Sequence, residues 1–581
     1  MRYLRMLSNS VATACVATAY VLVLVLTLNP ALPLDRAHLV SLVTTVGLFY
    51  AIHLTVICYV LLVLRQLLAH EVFSPAWISV GVLVWLTAAA SMAGAALMWR
   101  NLVTFALVLD EPTLAALERS VVVLALTGVL CLALAALRRR EPDARWAWGV
   151  LLVLIVGGSI AAPLALRGPG RPLPLEARPI EAPLEVTGVE RTARVTVIAL
   201  DAASLDVIAA ATAEGRLPNF GRILDAGAVR HLATLHPTSA EAVWAAVATG
   251  KLPQKNGVRS TGLYQLAGGA SLQLLPNYCF AHGLERFGFL VEQPYTSATF
   301  RTRTLWNILS TDGFSVGVVG WPLTKPAPLV RGYLISDTYH RLGLTPTDID
   351  DPSAVYPPEL QAETLVTMEA AASEVPPAVN TSLVDEVRQA TPERTDRIYD
   401  RLAQMLARTR PAQVTLTRYQ SLDAIGHYFL RYAMPSEFGD VTDEERRRYG
   451  TVVDRHYALI DEAIGRAMAA VGPNDLLLVV SGYGMEPLGL AKRLVERVLG
   501  DPDISGTHEA APDGFLMAYG SMVAKERRLQ ARASVVDVTP TILYFLGLPI
   551  GRDMDGYART DLFQRSFTDE RPITFIPTYD R

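Results

Sequence analysis

The chain has 581 residues, and 51% hydrophobic against 19% charged residues give it a mean hydropathy of +0.29. That balance is too apolar for a wholly soluble enzyme and too charged for a pure membrane bundle, so it describes a chain split between two environments. A net charge of −4 excludes the basic excess that nucleic-acid binding requires, and no nucleic-acid partner is expected.

Five apolar stretches fill the first third: Val11–Leu28, Leu39–Leu64, Ala76–Met98, Ser120–Leu137 and Trp146–Leu166. Each approaches or exceeds the ~20 residues that cross a ~30 Å hydrocarbon core as helix. The first is longer than a signal-peptide core and lacks a small-x-small site after it, so it is expected to remain as an anchor. Arg2, Arg5, Arg65, Arg138, Arg139, Arg140 and Arg145 fall on one side of these stretches, and Arg36, Arg100 and Arg119 on the other. Basic residues accumulate on the cytoplasmic face, which predicts a cytoplasmic N-terminus in the cell membrane. Everything after Leu166 is then periplasmic or extracellular. The stretches hold no interior carboxylate, so nothing in them supports transport. Thr87–Gly94 is rich in small residues that suit close helix packing.

Residues 167–190 are Pro- and Arg-rich without apolar periodicity and read as an extended linker. The predicted organisation is a five-helix anchor at 1–166, the linker at 167–190 and an outer domain at 191–581. Cys279 is the only cysteine beyond the apolar stretches, so the outer domain has no internal disulfide and must hold by its own core.

In the outer domain, short apolar runs alternate with helical patterns. Val195–Leu200, Ser315–Val319, Gln413–Thr417, Leu476–Val480 and Phe515–Tyr519 read as strands, and Pro218–Asp225 and Tyr457–Val471 as amphipathic helices. Apolar strands without alternation predict an α/β fold, a mostly parallel central sheet with helices on both faces. Ligands bind beyond the carboxyl ends of such strands. Asp201, Asp423 and Gly482-Tyr483 all fall there. Asp423 and His427 stand four apart, so on a helix both could reach one cation. The spacing alone is weak evidence, since such a spacing is more often a capped or solvated pair, and His508 by itself reads as a loop residue. Thr238-Ser239-Ala240-Glu241 opens a helix whose amides would favour an anion, although Thr-x-x-Glu is also a capping box.

Taken in order, several segments resemble the alkaline phosphatase superfamily in its type I phosphodiesterase/nucleotide pyrophosphatase branch. They are Val197-Ile-Ala-Leu-Asp201, Gly215-Arg-Leu-Pro-Asn219, Trp244 through Ala248-Thr-Gly-Lys251 and Val316-Gly-Val-Val-Gly-Trp-Pro322. The rest are Asp423 to His427, Val479-Val-Ser-Gly-Tyr-Gly-Met-Glu-Pro487, Gly506-Thr-His508 and Asp537 through Pro549. The resemblance implies two metals, often zinc, beside a Thr or Ser nucleophile at a helix N-terminus. Asp423, His427 and His508 match the ligands of one metal, and Asp201 matches one ligand of the other. The Asp-His pair of that second metal is replaced by Gly482 and Tyr483. Ala240 occupies the usual nucleophile position, which leaves Thr238 and Ser239 as candidate nucleophiles one or two residues earlier. Asn256 stands where the family has a His and is carried as a substrate-binding candidate. Glu241, Glu486 and Glu509 are acidic groups that could compensate.

These departures predict one divalent metal, zinc by resemblance, and a degenerate second site. The expected activity is that of an externally facing, metal-dependent phosphoesterase or phosphotransferase, anchored in the bilayer and acting on phosphate esters, lipid-linked ones included. The alternative is an inactive pseudoenzyme serving as a binding or assembly module in the cell envelope.

Overall fold

The computed structural model describes residues 1–69, 73–140, 145–170, 193–342, 351–375, 388, 390–499, 501–509, 511–525 and 532–580. The chain divides into two compact units, Met1–Leu175 with Gly262–Pro294, and Glu176–Thr261 with Tyr295–Arg581. The outer domain expected as one stretch, 191–581, is therefore interrupted, because Gly262–Pro294 pack with the N-terminal helices. Most of the linker expected at 167–190 lies outside the described residues.

In the first unit, five helical spans are long and apolar enough to cross a membrane: Arg2–Leu28, Arg36–Ala69, Val80–Thr104, Glu111–Arg140 and Trp146–Arg167. Each contains or closely overlaps one of the five apolar stretches. The small residues Thr87, Ala88, Ser91 and Ala95 are buried. The Tyr20 hydroxyl bonds Ser91 Oγ at 3.1 Å and Ser159 Oγ at 2.9 Å, which ties three of the helices together.

The excursion Gly262–Pro294 forms a three-stranded antiparallel sheet of Gly262–Leu266, Ser271–Leu272 and Leu290–Pro294, with a short helix at His282–Arg286. Its inner side chains, Tyr264, Leu266, Leu272 and Leu284 among them, share one core with Val25, Leu42, Val46 and Phe49 of the helices. Two asparagines at helix ends bind its backbone. Asn29 Oδ1 accepts from the amides of Gln273 (2.7 Å) and Leu274 (3.0 Å), and its Nδ2 donates to the Leu274 carbonyl at 2.8 Å. Asn101 Oδ1 accepts from the Asn277 amide at 2.8 Å. The excursion was invisible as a separate element because its short runs look like any surface β-structure.

The second unit is built on a nine-stranded sheet. Its order is Arg532–Ser534, Ala228–Ala233, Asp513–Tyr519, Leu476–Tyr483, Val195–Leu200, Val414–Tyr419, Val316–Trp321, Gly332–Ser336 and Val355–Tyr356. The five central strands from Leu476–Tyr483 to Gly332–Ser336 are mutually parallel. Asp513–Tyr519 is antiparallel to both of its neighbours. Alternate residues of Val195–Leu200 feed two cores. Val195, Val197 and Ala199 join Trp244, Trp306 and Trp321 on one face, while Ile198 and Leu200 join Phe220, Ile425 and Ile460 on the other. The sheet is thus covered on both sides, and its central strands read as continuous apolar runs for that reason. Ala228–Ala233 escaped the sequence reading because Arg230 and His231 interrupt it; Arg230 is buried against Asp561 at 2.8 Å.

Replacing Asn29 by Leu removes the side-chain acceptor of the Gln273 and Leu274 amides, just past the strand Ser271–Leu272. The expected cost is about 2–4 kcal/mol, read as a lower unfolding midpoint in detergent with faster amide exchange across residues 271–275.

Candidate metal and phosphate site

The carboxyl ends of the parallel strands carry the site. Asp201 directly follows Val195–Leu200, Arg418 is next to last in Val414–Tyr419, and Tyr483 ends Leu476–Tyr483. Asp423 and His427 lie on the helix Ser421–Ala433, which begins two residues after its strand. The buried Asp396 carboxylate, from the helix Thr391–Thr409, accepts from the amides of Gln420 (2.8 Å) and Ser421 (3.1 Å). These amides open the Ser421–Ala433 helix and have no partner within it, so Asp396 fixes the helix that holds Asp423 and His427. Burial pushes Asp396 up to about 6.

His508 reaches the same point from a distant loop. Gly506, two residues before it, packs so closely on the helix that a Cβ there would lie 2.4 Å from the Gly426 carbonyl oxygen. Any other residue would push the loop away. The Ser505 amide donates to the His427 carbonyl at 2.6 Å, and His427 Nδ1 lies 2.9 Å from the Gly506 carbonyl oxygen. A carbonyl can only accept, so Nδ1 carries the proton and Nε2 presents its lone pair.

Ligand atoms of Asp423, His427 and His508 lie within 4.8 Å of one another. His427 Nε2 is 3.8 Å from Asp423 Oδ2, and His508 Nε2 is 3.5 Å from Asp423 Oδ1. Asp423 Oδ1 is buried and accepts no hydrogen bond from the described residues. Three donors that face a common point without bonding one another fit a single divalent cation. One carboxylate and two imidazoles form an ordinary zinc set with a position left open.

Asp201, expected among the metal ligands, stands outside that cluster. Its Oδ1 accepts from Trp244 Nε1 at 2.6 Å and Arg418 Nε at 2.9 Å, and its Oδ2 accepts from Arg418 Nη2. Carboxylate and guanidinium are both buried. Burial works against the Arg418 charge, but the Asp201 carboxylate outweighs it and holds Arg418 well above its ordinary range. Arg418 Nη1 also lies 3.4 Å from the Gly320 carbonyl. The remaining second-metal positions do not fit a cation. A Cβ at Gly482 would meet Val243 Cγ1 at 2.4 Å, so a side chain enters there only if Val243 shifts. Tyr483 is fully buried, and burial first, then the carboxylates of Asp201 and Asp423, push its phenol far above the usual value. It therefore remains an O–H donor and not a phenolate. Its ring lies 5.1 Å from that of His508, and its hydroxyl has no partner among the described residues.

The hydroxyls are otherwise committed. Thr238 Oγ1 donates to the Leu235 carbonyl at 2.8 Å, and Ser239 caps its helix by accepting from the Ala242 amide at 3.3 Å. The cap is thus Ser239, one residue later than the Thr-x-x-Glu box implied. Asn256, expected to meet substrate, is fully buried and binds its own turn, donating to Lys251 O at 2.8 Å and accepting from the Val258 amide at 2.9 Å. Glu509 pairs with Lys492 at 2.6 Å, and Glu486 lies in a short strand opposite Thr507. Glu241 is pushed up to about 7, by burial first, with Arg418 pulling it down and the carboxylates of Asp201 and Asp423 pushing it up. Arg418 and Asp396 were missed because their partners lie on other segments; the only sequence signal was a charge placed at the end of an apolar strand or just before a ligand helix.

Arg418→Met leaves the buried Asp201 carboxylate without its counter-charge, with Trp244 as its remaining side-chain donor among the described residues, and should cost about 3–5 kcal/mol at neutral pH in a denaturation midpoint. Glu241 binds its proton more tightly folded than unfolded, so its contribution is complete below the unfolded value near 4.5 and is lost as pH rises through about 7. In the presence of a chelator, Glu241→Gln should match the parent near pH 4 and exceed it near pH 8 by roughly 3 kcal/mol.

A family model described as type I phosphodiesterase/nucleotide pyrophosphatase matches residues 195–535. Among solved structures, murine ectonucleotide pyrophosphatase/phosphodiesterase 5, in an inactive form in complex with AMP, is similar at 12% identity and a TM-score of 0.37. The match covers 64% of this chain and 100% of that one. A second structure of the same murine protein gives the same figures. No curated protein matches the sequence. With its model matched over more than half the length, the chain belongs to the type I phosphodiesterase/nucleotide pyrophosphatase family.

Proposed function

We propose that the second unit is a phosphoesterase working with a single divalent metal, held by Asp423, His427 and His508. The observation that carries this reading is the convergence of those three side chains from a helix and a loop, locked together through Gly506. A zinc ion bound there would polarise a phosphoryl oxygen and neutralise developing charge. Asp201 and Arg418 take the place of a second metal as a neutral, internally paired unit. The Tyr483 hydroxyl, a buried donor without a partner, is free to donate to an anionic phosphate oxygen.

Ala240 offers no nucleophile, and the neighbouring hydroxyls of Thr238 and Ser239 are engaged in local bonds. The attacking group in this reading is therefore water. Its oxygen bonds phosphorus as the ester P–O bond breaks, and the leaving alkoxide takes a proton from solvent. In this reading Glu241, whose carboxyl burial pushes up to about 7, takes the proton of the water. The substrate class is a phosphate ester, and the apolar helices favour lipid-linked esters at the outer face of the cell membrane. The seven-to-three distribution of arginines supports a cytoplasmic N-terminus. The commitment of Thr238 and Ser239 equally favours the second reading, a metal-binding pseudoenzyme.

The test uses the full-length chain in detergent, with metal content by mass spectrometry and hydrolysis of a nitrophenyl phosphodiester and monoester. One metal per chain is expected. Asp423→Ala should lose both metal and turnover, while Thr238→Ala/Ser239→Ala keeps turnover. Tyr483→Phe should keep the metal and its unfolding midpoint while kcat/KM falls roughly tenfold, the worth of one hydrogen bond to a charged group. Bound metal without turnover above background selects the pseudoenzyme, and a metal-free chain sinks both readings.

A further inference from the structure

The excursion Gly262–Pro294 buries one side against the N-terminal helices and leaves a rim of large apolar residues uncovered. Tyr278 is 58% exposed, Phe280 71% and Phe287 65%, with Val291 beside them in sequence on the strand Leu290–Pro294. Isolated exposed apolar residues are ordinary, but three aromatics within ten positions of one small element are not. Tyr278 and Phe280 are also held at φ of 66° and 54°, where bulky residues are rare and strained.

The excursion packs on a helical span longer than a hydrocarbon core. The span Arg36–Ala69 has 34 residues, about 51 Å at 1.5 Å per residue, well beyond a ~30 Å hydrocarbon core. The excursion packs along its first half, where Leu42, Val46 and Phe49 enter the shared core and the Tyr50 hydroxyl donates to the Cys279 carbonyl at 2.9 Å. Other side chains of that same half, Val40, Val43 and Leu48, remain exposed and apolar, so the lipid-facing surface of the helix continues beside the excursion. Arg100, near the end of Val80–Thr104, places its guanidinium 4.6 Å from the Tyr278 ring. Tyr is enriched at the boundary between acyl chains and headgroups, and an arginine stem can reach the headgroups from there.

We propose that Gly262–Pro294 is an interfacial foot, whose Tyr278, Phe280 and Phe287 insert at the headgroup–acyl boundary of the bilayer that the five helices cross. The occupant of the rim is lipid, because the rim is continuous with an exposed apolar helix surface long enough to need it. Insertion removes the three rings from water without requiring a protein partner. The inference rests on the helices spanning a membrane and is independent of the phosphoesterase reading.

The test uses the full chain in phosphatidylcholine/phosphatidylglycerol vesicles, with Cys15, Cys58, Cys131 and Cys279 replaced by Ala. A single cysteine at Phe280 carries an environment-sensitive fluorophore, and one at the exposed Ser271 serves as reference. Emission at 280 should be blue-shifted against 271 and severalfold quenched by lipids bearing a nitroxide roughly 5–10 Å below the headgroups. Equal, water-like emission at both positions overturns the proposal. So does a shift at 280 that resists lipid quenching and grows with protein density, which would assign the rim to a second copy. A photoactivatable lipid on the unsubstituted chain provides an independent measurement. Labelling within 278–291 is expected, and labelling confined to the five spans overturns the foot.

Discussion

A carboxylate taken out of water must be met by positive charge or by enough donors, and at Asp201 this requirement organises the whole site. Both oxygens are consumed by Arg418 and Trp244, so the two partners must come from positions that only this sheet order makes adjacent. Val195–Leu200 and Val414–Tyr419 run parallel, with Ala199 opposite Arg418, and the guanidinium reaches Asp201 across the strand ends. The same strand then turns directly into the helix that bears Asp423 and His427. One strand end therefore places the Arg418 guanidinium against Asp201 and leads into the helix that carries Asp423 and His427.

This arrangement explains why the departures from the family pattern belong together. With a guanidinium against Asp201, a second metal would add charge where charge is already balanced, and Asp or His at 482 and 483 would have no task. Gly482 then accommodates Val243, and Tyr483 seals the space with a ring against His508. The helix start at Ser239 reverts to ordinary capping.

The central strands were legible because burial on both faces leaves unbroken apolar runs, and the Asp423–His427 pair because helical spacing is a local rule. What resisted reading was non-local. Arg418 and Asp201 are far apart in sequence, and Asp396 caps a helix from a different segment. His508 owes its place to a glycine that lets two backbones approach, which no spacing reveals. The hydroxyls of Thr238 and Ser239 looked available because a capping bond and a nucleophile have the same residue types at the same helix end. Gly262–Pro294 carried no mark of leaving its domain, since its apolar side chains are matched by residues more than two hundred positions earlier.

That excursion also alters what the backbone between the units means. The polypeptide passes from one unit to the other near residue 175 and again at 261–262 and 294–295. A single protease cut in the Pro/Arg-rich stretch would therefore divide the chain without freeing the second unit. The carboxyl-terminal fragment would keep Gly262–Pro294, still clasped by Asn29, Asn101 and the shared core of the amino-terminal fragment. Release of the second unit would require the excursion to be severed as well.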